Sequence, residues 1–217
     1  MQRLPTGAEL RVTGPPDPVA AVVCVNGGQG GEVEGTWSAT LEYLVGRLAP
    51  RFPKLAFGEV RYRIKSWKKL DWCADDARAA IEAIGARHTL LLGFSMGGAV
   101  SAMVAAEPSV ETVVGLAPWL PDRLSVDGLA GRRLRVLHGS LDRYLPGVPG
   151  VSPTLSRRGF ERALAAGAEG EYTLIHGGLH GVAVRAPGGS PFPLPRARKW
   201  TELIADELAL FERTIAQ

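Results

Sequence analysis

Leu90-Leu91-Leu92-Gly93-Phe94-Ser95-Met96-Gly97-Gly98-Ala99-Val100 is the stretch that most limits what this chain can become. The leucine run predicts a short buried strand over Thr89 to Phe94. Gly93-Phe94-Ser95-Met96-Gly97 predicts a tight turn, and the small residues from Met96 to Ala106 a helix closed by Pro108. The pattern is G-x-S-x-G, with a serine at the tip of a strand-to-helix turn. Its glycines leave room where strand and helix nearly touch. The helix would aim its first N–H groups at the space beside that serine. The plain alternative is a turn serine without chemistry. The apolar run before it and the small-residue helix after it argue against that.

The rest of the chain alternates in the same way. Glu9 to Thr13 reads as an edge strand stopped by Pro15, Pro16 and Pro18. Val19 to Val25 is a continuous apolar run, the pattern of a parallel strand covered on both faces, and runs straight into Asn26-Gly27-Gly28-Gln29-Gly30-Gly31. Thr36 to Leu48 carries Trp37, Leu41, Leu44 and Leu48 at helical spacing, and Leu55 to Tyr62 is strand-like. Leu70, Cys73, Ala77, Ile81 and Ile84 mark a helix with Gly85 as its C-cap. Thr112 to Leu116, Arg135 to His138 and Glu171 to Ile175 are further strands. Ser152 to Ala166 reads as a helix, and Trp200, Leu203, Ile204, Leu208, Phe211 and Ile215 line a terminal one. Strands alternating with helices predict an α/β fold, a parallel sheet with helices on both faces. At 217 residues this is expected to be one domain, residues 1–217.

Composition narrows the function class. A net charge of +3 is too mild to argue for nucleic acid, and no apolar run reaches transmembrane length. Met1 to Asp17 lacks the core of a signal peptide, so a cytoplasmic protein is expected. Cys24 and Cys73 show neither metal nor redox spacing and read as buried thiols. One basic run, Arg61 to Lys69, is interleaved with Tyr62 and Trp67. It reads as a solvated face, with an anion-attracting surface as the alternative.

A serine hydroxyl becomes a useful nucleophile only when a base takes its proton and an acid orients that base. Downstream of Ser95, partners stand at strand ends, where sites form in open α/β sheets. One strand runs into His138-Gly139-Ser140-Leu141-Asp142-Arg143-Tyr144-Leu145-Pro146, and the last into His176-Gly177-Gly178-Leu179-His180-Gly181. Asp122 is a rival acid and His176 a rival base. His88 precedes its strand, at the wrong end of the sheet, and His138 reads as structural.

These motifs together resemble those of the α/β hydrolases, over roughly Val19 to Gly181. G-F-S-M-G matches the family's nucleophile elbow. H-G-S-L-D-R-Y-L-P is similar to its H-G-x-x-D-x-x-V-P, and G-G-L-H to its G-x-x-H. The resemblance implies Ser95 as nucleophile, Asp142 as acid and His180 as base. Asn26-Gly27-Gly28 resembles the family's H-G-x oxyanion loop, with Asn26 in place of histidine. It implies Met96 and Gly28 as oxyanion donors, with Gln29 the rival of Gly28. Ala117 to Arg132 is too short for a cap domain, so an open site lipped by Trp119 and Leu120, with Gln29 nearby, is expected. The implied function is a serine hydrolase of small-molecule esters or thioesters, with no metal or organic cofactor and no nucleic-acid or membrane partner. Carboxylesterases, thioesterases and dienelactone-hydrolase-like enzymes are the groups it resembles, although the last usually carry cysteine at the elbow. A non-catalytic binding protein of the same fold is the alternative.

Overall fold

The structure, a computed structural model, describes residues 1–142 and 149–216. Its strands are β1 (Gln2–Arg3), β2 (Glu9–Thr13), β3 (Ala20–Val25), β4 (Val33–Glu34), β5 (Leu55–Arg61), β6 (Ile64–Lys65), β7 (His88–Phe94), β8 (Val110–Leu116), β9 (Arg133–Gly139), β10 (Glu169–Ile175), β11 (Ala183–Arg185) and β12 (Pro191–Pro193). Its helices are α1 (Ala39–Leu48), α2 (Leu70–Ile84), α3 (Met96–Val104), α4 (Pro153–Ala165) and α5 (Ala197–Ile215).

Eight strands form one sheet in the order β1-β2-β5-β3-β7-β8-β9-β10. From β5 to β10 all neighbours in that order run parallel, and β1 and β2 add an antiparallel edge. The alternation of side chains along each strand divides the core in two. Val23, Val25, Leu91, Val113 and Val136 face one way, against Ala77 and Ile81 of α2, Val100 of α3 and Phe160 of α4. Val22, Cys24, Leu90, Leu92, Val114 and Leu137 face the other, against Leu41 and Leu44 of α1 and Trp200, Ile204 and Leu208 of α5. Each fully buried Leu or Val contributes about 1.5–3 kcal/mol, which is why β3 and β7 are apolar at every position between Ala20 and Val25 and between Leu90 and Leu92.

Local signals set the helix ends. The Ser38 hydroxyl accepts from Leu41 N at the start of α1, and Ser152 from Leu155 N at the start of α4, where Pro153 follows. Gly85, at φ 66°, closes α2. The register brings the carboxyl ends of the central strands to one edge. Val25 lies beside Gly93, Phe94 beside Leu116, and Ile175 beside Gly139. The loops that follow all five of these strands open there.

The structure extends several expected elements by one or two residues and adds pieces that carry no periodic signal. The β4–β6 pair and the β11–β12 hairpin have strands of two or three residues, too short for alternation to show. The basic run is tied down by its neighbours. Arg61 pairs with Glu9 and Glu34, Arg63 with Asp75 and the buried Asp76, and Lys69 Nζ lies 3.9 Å from Glu32. Lys65, whose ammonium is shifted down by burial, donates to Thr36 Oγ1 at 2.8 Å.

Candidate active site

Ser95 stands between β7 and α3 at φ 55° and ψ −117°. That region is strained for a residue with a Cβ. The turn is held by Ser95 N donating to Leu116 O and by the Ser95 carbonyl accepting from Gly98 N and Trp119 N, each at 2.9 Å. The glycines make this crossing sterically possible. A Cβ on Gly93 would lie 2.5 Å from Gly97 O, and one on Gly97 would lie 2.1 Å from Val25 O. The requirement for small residues is therefore met by a real approach of strand, turn and helix.

The loop after β10 brings His180 over this turn. His180 Nε2 lies 3.1 Å from Ser95 Oγ, and His180 Nδ1 lies 2.7 Å from Asp142 Oδ2. The Phe94 ring packs against the imidazole, with centroids 5.1 Å apart. Asp142, just beyond β9, has a fully buried carboxylate, and its Oδ1 accepts from Val151 N at 3.1 Å. Burial pushes the Asp142 carboxyl up, but the hydrogen bonds of His138 and His180 hold it below its ordinary value. A carboxylate at Nδ1 leaves Nε2 to face the serine hydroxyl as an acceptor.

Asn26 sets the loop after β3. Its Nδ2 donates to Thr36 O, its Oδ1 accepts from Gly27 N at 2.7 Å, and its carbonyl accepts from Tyr62 Oη at 3.0 Å. Gly27 N–H is thereby used, leaving the amides further along the loop. Gly28 lies against Met96, where a Cβ would come 2.1 Å from Met96 Sδ and 2.8 Å from Trp67 Cδ1. Met96 is the first residue of α3, so its N–H has no acceptor inside the helix. Gln29 O accepts from Trp67 N, which ties this loop to the end of the basic run.

A cavity of about 290 Å³ opens beside Ser95 and His180. Gly27, Gly28, Gln29, Ser38, Thr40, Phe94, Pro149, Ala183 and Val184 line it. Sequence reasoning missed Thr40, Pro149 and Val184. Thr40 Oγ1 accepts from Val182 N and Ala183 N and so docks the β11–β12 hairpin onto α1. A threonine in a helical pattern carries no sign of such a partner 142 residues away.

Two expected lip residues are corrected. Leu120 is buried, not at the rim, and Trp119 is half-buried beside Trp67, with ring centroids 6.4 Å apart. Neither lines the cavity at Ser95. The physical reason is Arg162 of α4, whose guanidinium donates to the carbonyls of Leu120, Pro121, Asp122 and Leu124 and draws that connection down onto α4. Gly159 lets Leu120 seat there, since a Cβ would lie 2.3 Å from that of Leu120.

The rival residues lie elsewhere. Asp122 pairs with Arg158, His176 is exposed, and His88 contacts Glu111 at the far end of β7. Arg143, Tyr144, Leu145 and Pro146 of the motif that supplies Asp142 lie outside the described residues. Burial pushes the Cys24 thiol up and that of Cys73 to about 11, so both are protonated and poorly nucleophilic at neutral pH. Among the described residues no helix is long and apolar enough to cross a membrane, and no group of three or more His, Cys, Asp or Glu is arranged to hold a metal ion.

Comparison with solved structures decides the architecture. An esterase from Exiguobacterium antarcticum superposes with a TM-score of 0.67 at 15% identity, covering 95% of this chain and 98% of that one. The chain has the α/β-hydrolase fold. A monoacylglycerol lipase from Paleococcus ferrophilus matches with a TM-score of 0.66 at 15% identity, covering 94% and 99%. A lidless α/β serine hydrolase from Xanthomonas campestris matches with a TM-score of 0.59 at 17% identity, covering 82% and 83%. No protein-family model and no curated protein sequence matches the chain. Among the described residues there is no large cap: Arg162 pins the connection between β8 and β9 flat.

Proposed function

We propose that the protein is a serine hydrolase cleaving a carboxylic ester or thioester of a small acyl group. The observation that carries this reading is the line Asp142–His180–Ser95, with contacts of 2.7 and 3.1 Å ending at a serine held at positive φ. That a monoacylglycerol lipase and an esterase share the fold lends support.

In this reading Ser95 Oγ attacks the substrate carbonyl while His180 Nε2 takes its proton. Asp142 holds the histidine with Nδ1 protonated and stabilises the imidazolium that forms. The N–H groups of Met96 and Gly28 hold the oxyanion, helped by the N-terminal end of α3. His180 then returns its proton to the leaving alcohol or thiol. Water, activated by the same histidine, hydrolyses the acyl-enzyme. A cavity of about 290 Å³ is at the low end of small-molecule sites, and its walls of Phe94, Pro149, Ala183 and Val184 suit a short apolar acyl group.

The test is a panel of esters and thioesters of increasing acyl length, run on the wild type and on Ser95→Ala. Turnover of short-chain members by the wild type, and its loss in the variant, is the expected result. Equal rates in both proteins would contradict the proposal.

A further inference from the structure

His138 is fully buried at the end of β9, four residues before Asp142. Its Nε2 lies 2.9 Å from the Val151 carbonyl oxygen and 3.1 Å from Asp142 Oδ2. Both are acceptors, so Nε2 carries the hydrogen. It donates to Val151 O, and Asp142 Oδ2 shares its positive end. Nδ1 is buried with no hydrogen-bond partner among the described residues, and a proton there would be stranded. The ring is therefore the neutral Nε2–H tautomer. Val151 closes the loop: its carbonyl accepts from His138 while its N–H donates to Asp142 Oδ1. One imidazole thus bears on both carboxylate oxygens, on Oδ2 directly and on Oδ1 through Val151.

We infer that His138 is a positioning residue, which fixes the Asp142 carboxylate in the orientation His180 needs and draws off part of its charge. The inference rests on the proposed roles of Ser95, His180 and Asp142. The surroundings of His138 are otherwise quiet. The Tyr172 ring of β10 stacks on it at 6.3 Å and 12°, and burial keeps that phenol protonated. Arg157 of α4 lies over the Tyr172 ring at 4.1 Å. Among the described residues, the titratable groups that face His138 are Asp142, with His180 on its far side, and the stacked Tyr172.

The consequence is a pH effect. Removing a donor from the Asp142–His180 pair raises the proton affinity of that pair, whichever member holds the proton. In His138→Leu the acid limb of kcat/KM should move to higher pH by roughly 0.5–1 unit. Its plateau kcat should fall about tenfold with KM nearly unchanged, as expected for a misaligned base. His138→Gln, whose amide NH₂ reaches the Nε2 position, should restore the limb. A merely structural histidine would lower thermal stability in both variants and leave the limb in place.

Imidazole ¹⁵N NMR on the wild type gives a second readout, independent of substrate. It should report His138 as the Nε2–H tautomer at neutral pH, and the titration of the Asp142–His180 pair should shift upward in His138→Leu. An Nδ1–H tautomer at His138, an unmoved limb, or equal profiles in the Leu and Gln variants would overturn the inference. A wild type without esterase or thioesterase turnover would instead refute the proposed function, while the tautomer and the titration of that pair would still decide the role of His138.

Discussion

His180 Nε2 meets Ser95 Oγ at 3.1 Å across a separation of 85 residues. The contact exists because β7 and β10 are parallel strands of one sheet and end at the same edge. His176, which begins the same loop, is exposed. The two histidines therefore make opposite predictions.

His180→Ala should lower kcat by more than roughly a thousandfold, since no neighbour replaces a missing general base. His176→Ala should change kcat by less than about twofold, as is usual for an exposed side chain outside a site. Steady-state kinetics on one short-chain ester compares them, and the reverse ranking would reassign the base.

Asp142→Asn should keep the fold and reduce kcat by about 10³–10⁴, the scale of a wrong histidine tautomer. Stability adds a sign. The Asp142 carboxyl is held below its ordinary value of 3.8 in the folded state, so it stabilises the fold above that pH and loses this contribution as pH falls below it. Urea unfolding should therefore show the wild type gaining on Asp142→Asn at pH 6 and that margin shrinking at pH 3. A margin that grows on acidification would contradict the assignment.

Gly97→Ala places a Cβ 2.1 Å from the Val25 carbonyl oxygen, which is main chain of the central strand β3 and has no room to yield. Overpacking of this kind costs about 1–3 kcal/mol or more. Denaturant unfolding should show at least that loss, together with reduced activity as Ser95 shifts. An unchanged midpoint would mean that the turn is looser than described.

How much of this was readable in the residues follows from where the physics is local. The elbow was legible because an apolar run, two glycines and a small-residue helix all act within a dozen positions. Asp142 and His180 were legible as candidates because each stands in the loop that leaves the carboxyl end of a strand, β9 or β10. The inward turn of Leu120 was not, because the arginine that holds its carbonyl lies on α4, some 40 residues later. Val184 reached the cavity unforeseen, since a three-residue strand opposite Phe192 shows no periodicity. His138 was legible as a structural strand residue, but its bearing on Asp142 was not, because half of it runs through Val151, nine residues after that aspartate.

The basic run offers a prediction about charge. Arg61, Arg63 and Lys69 already face carboxylates, and none of Lys65, Lys68 or Lys69 lines the cavity at Ser95. Steering by such charges fades as the Debye length falls from about 10 Å at 0.1 M salt to about 3 Å at 1 M. Changing Lys65, Lys68 and Lys69 together to Ala should alter kcat/KM equally for a neutral ester and an anionic one of the same size, at both salt concentrations. A selective, salt-dependent loss on the anionic ester would instead make this stretch a substrate-attracting surface.

The central claim is that Ser95 is the activated nucleophile. Brief exposure to an alkyl fluorophosphonate, followed by intact-mass and peptide mass spectrometry, tests it most directly. The account predicts a single adduct, on Ser95, that forms rapidly in the wild type, slowly in His180→Ala and not at all in Ser95→Ala. No adduct on the wild type, or an adduct on another residue, would contradict it.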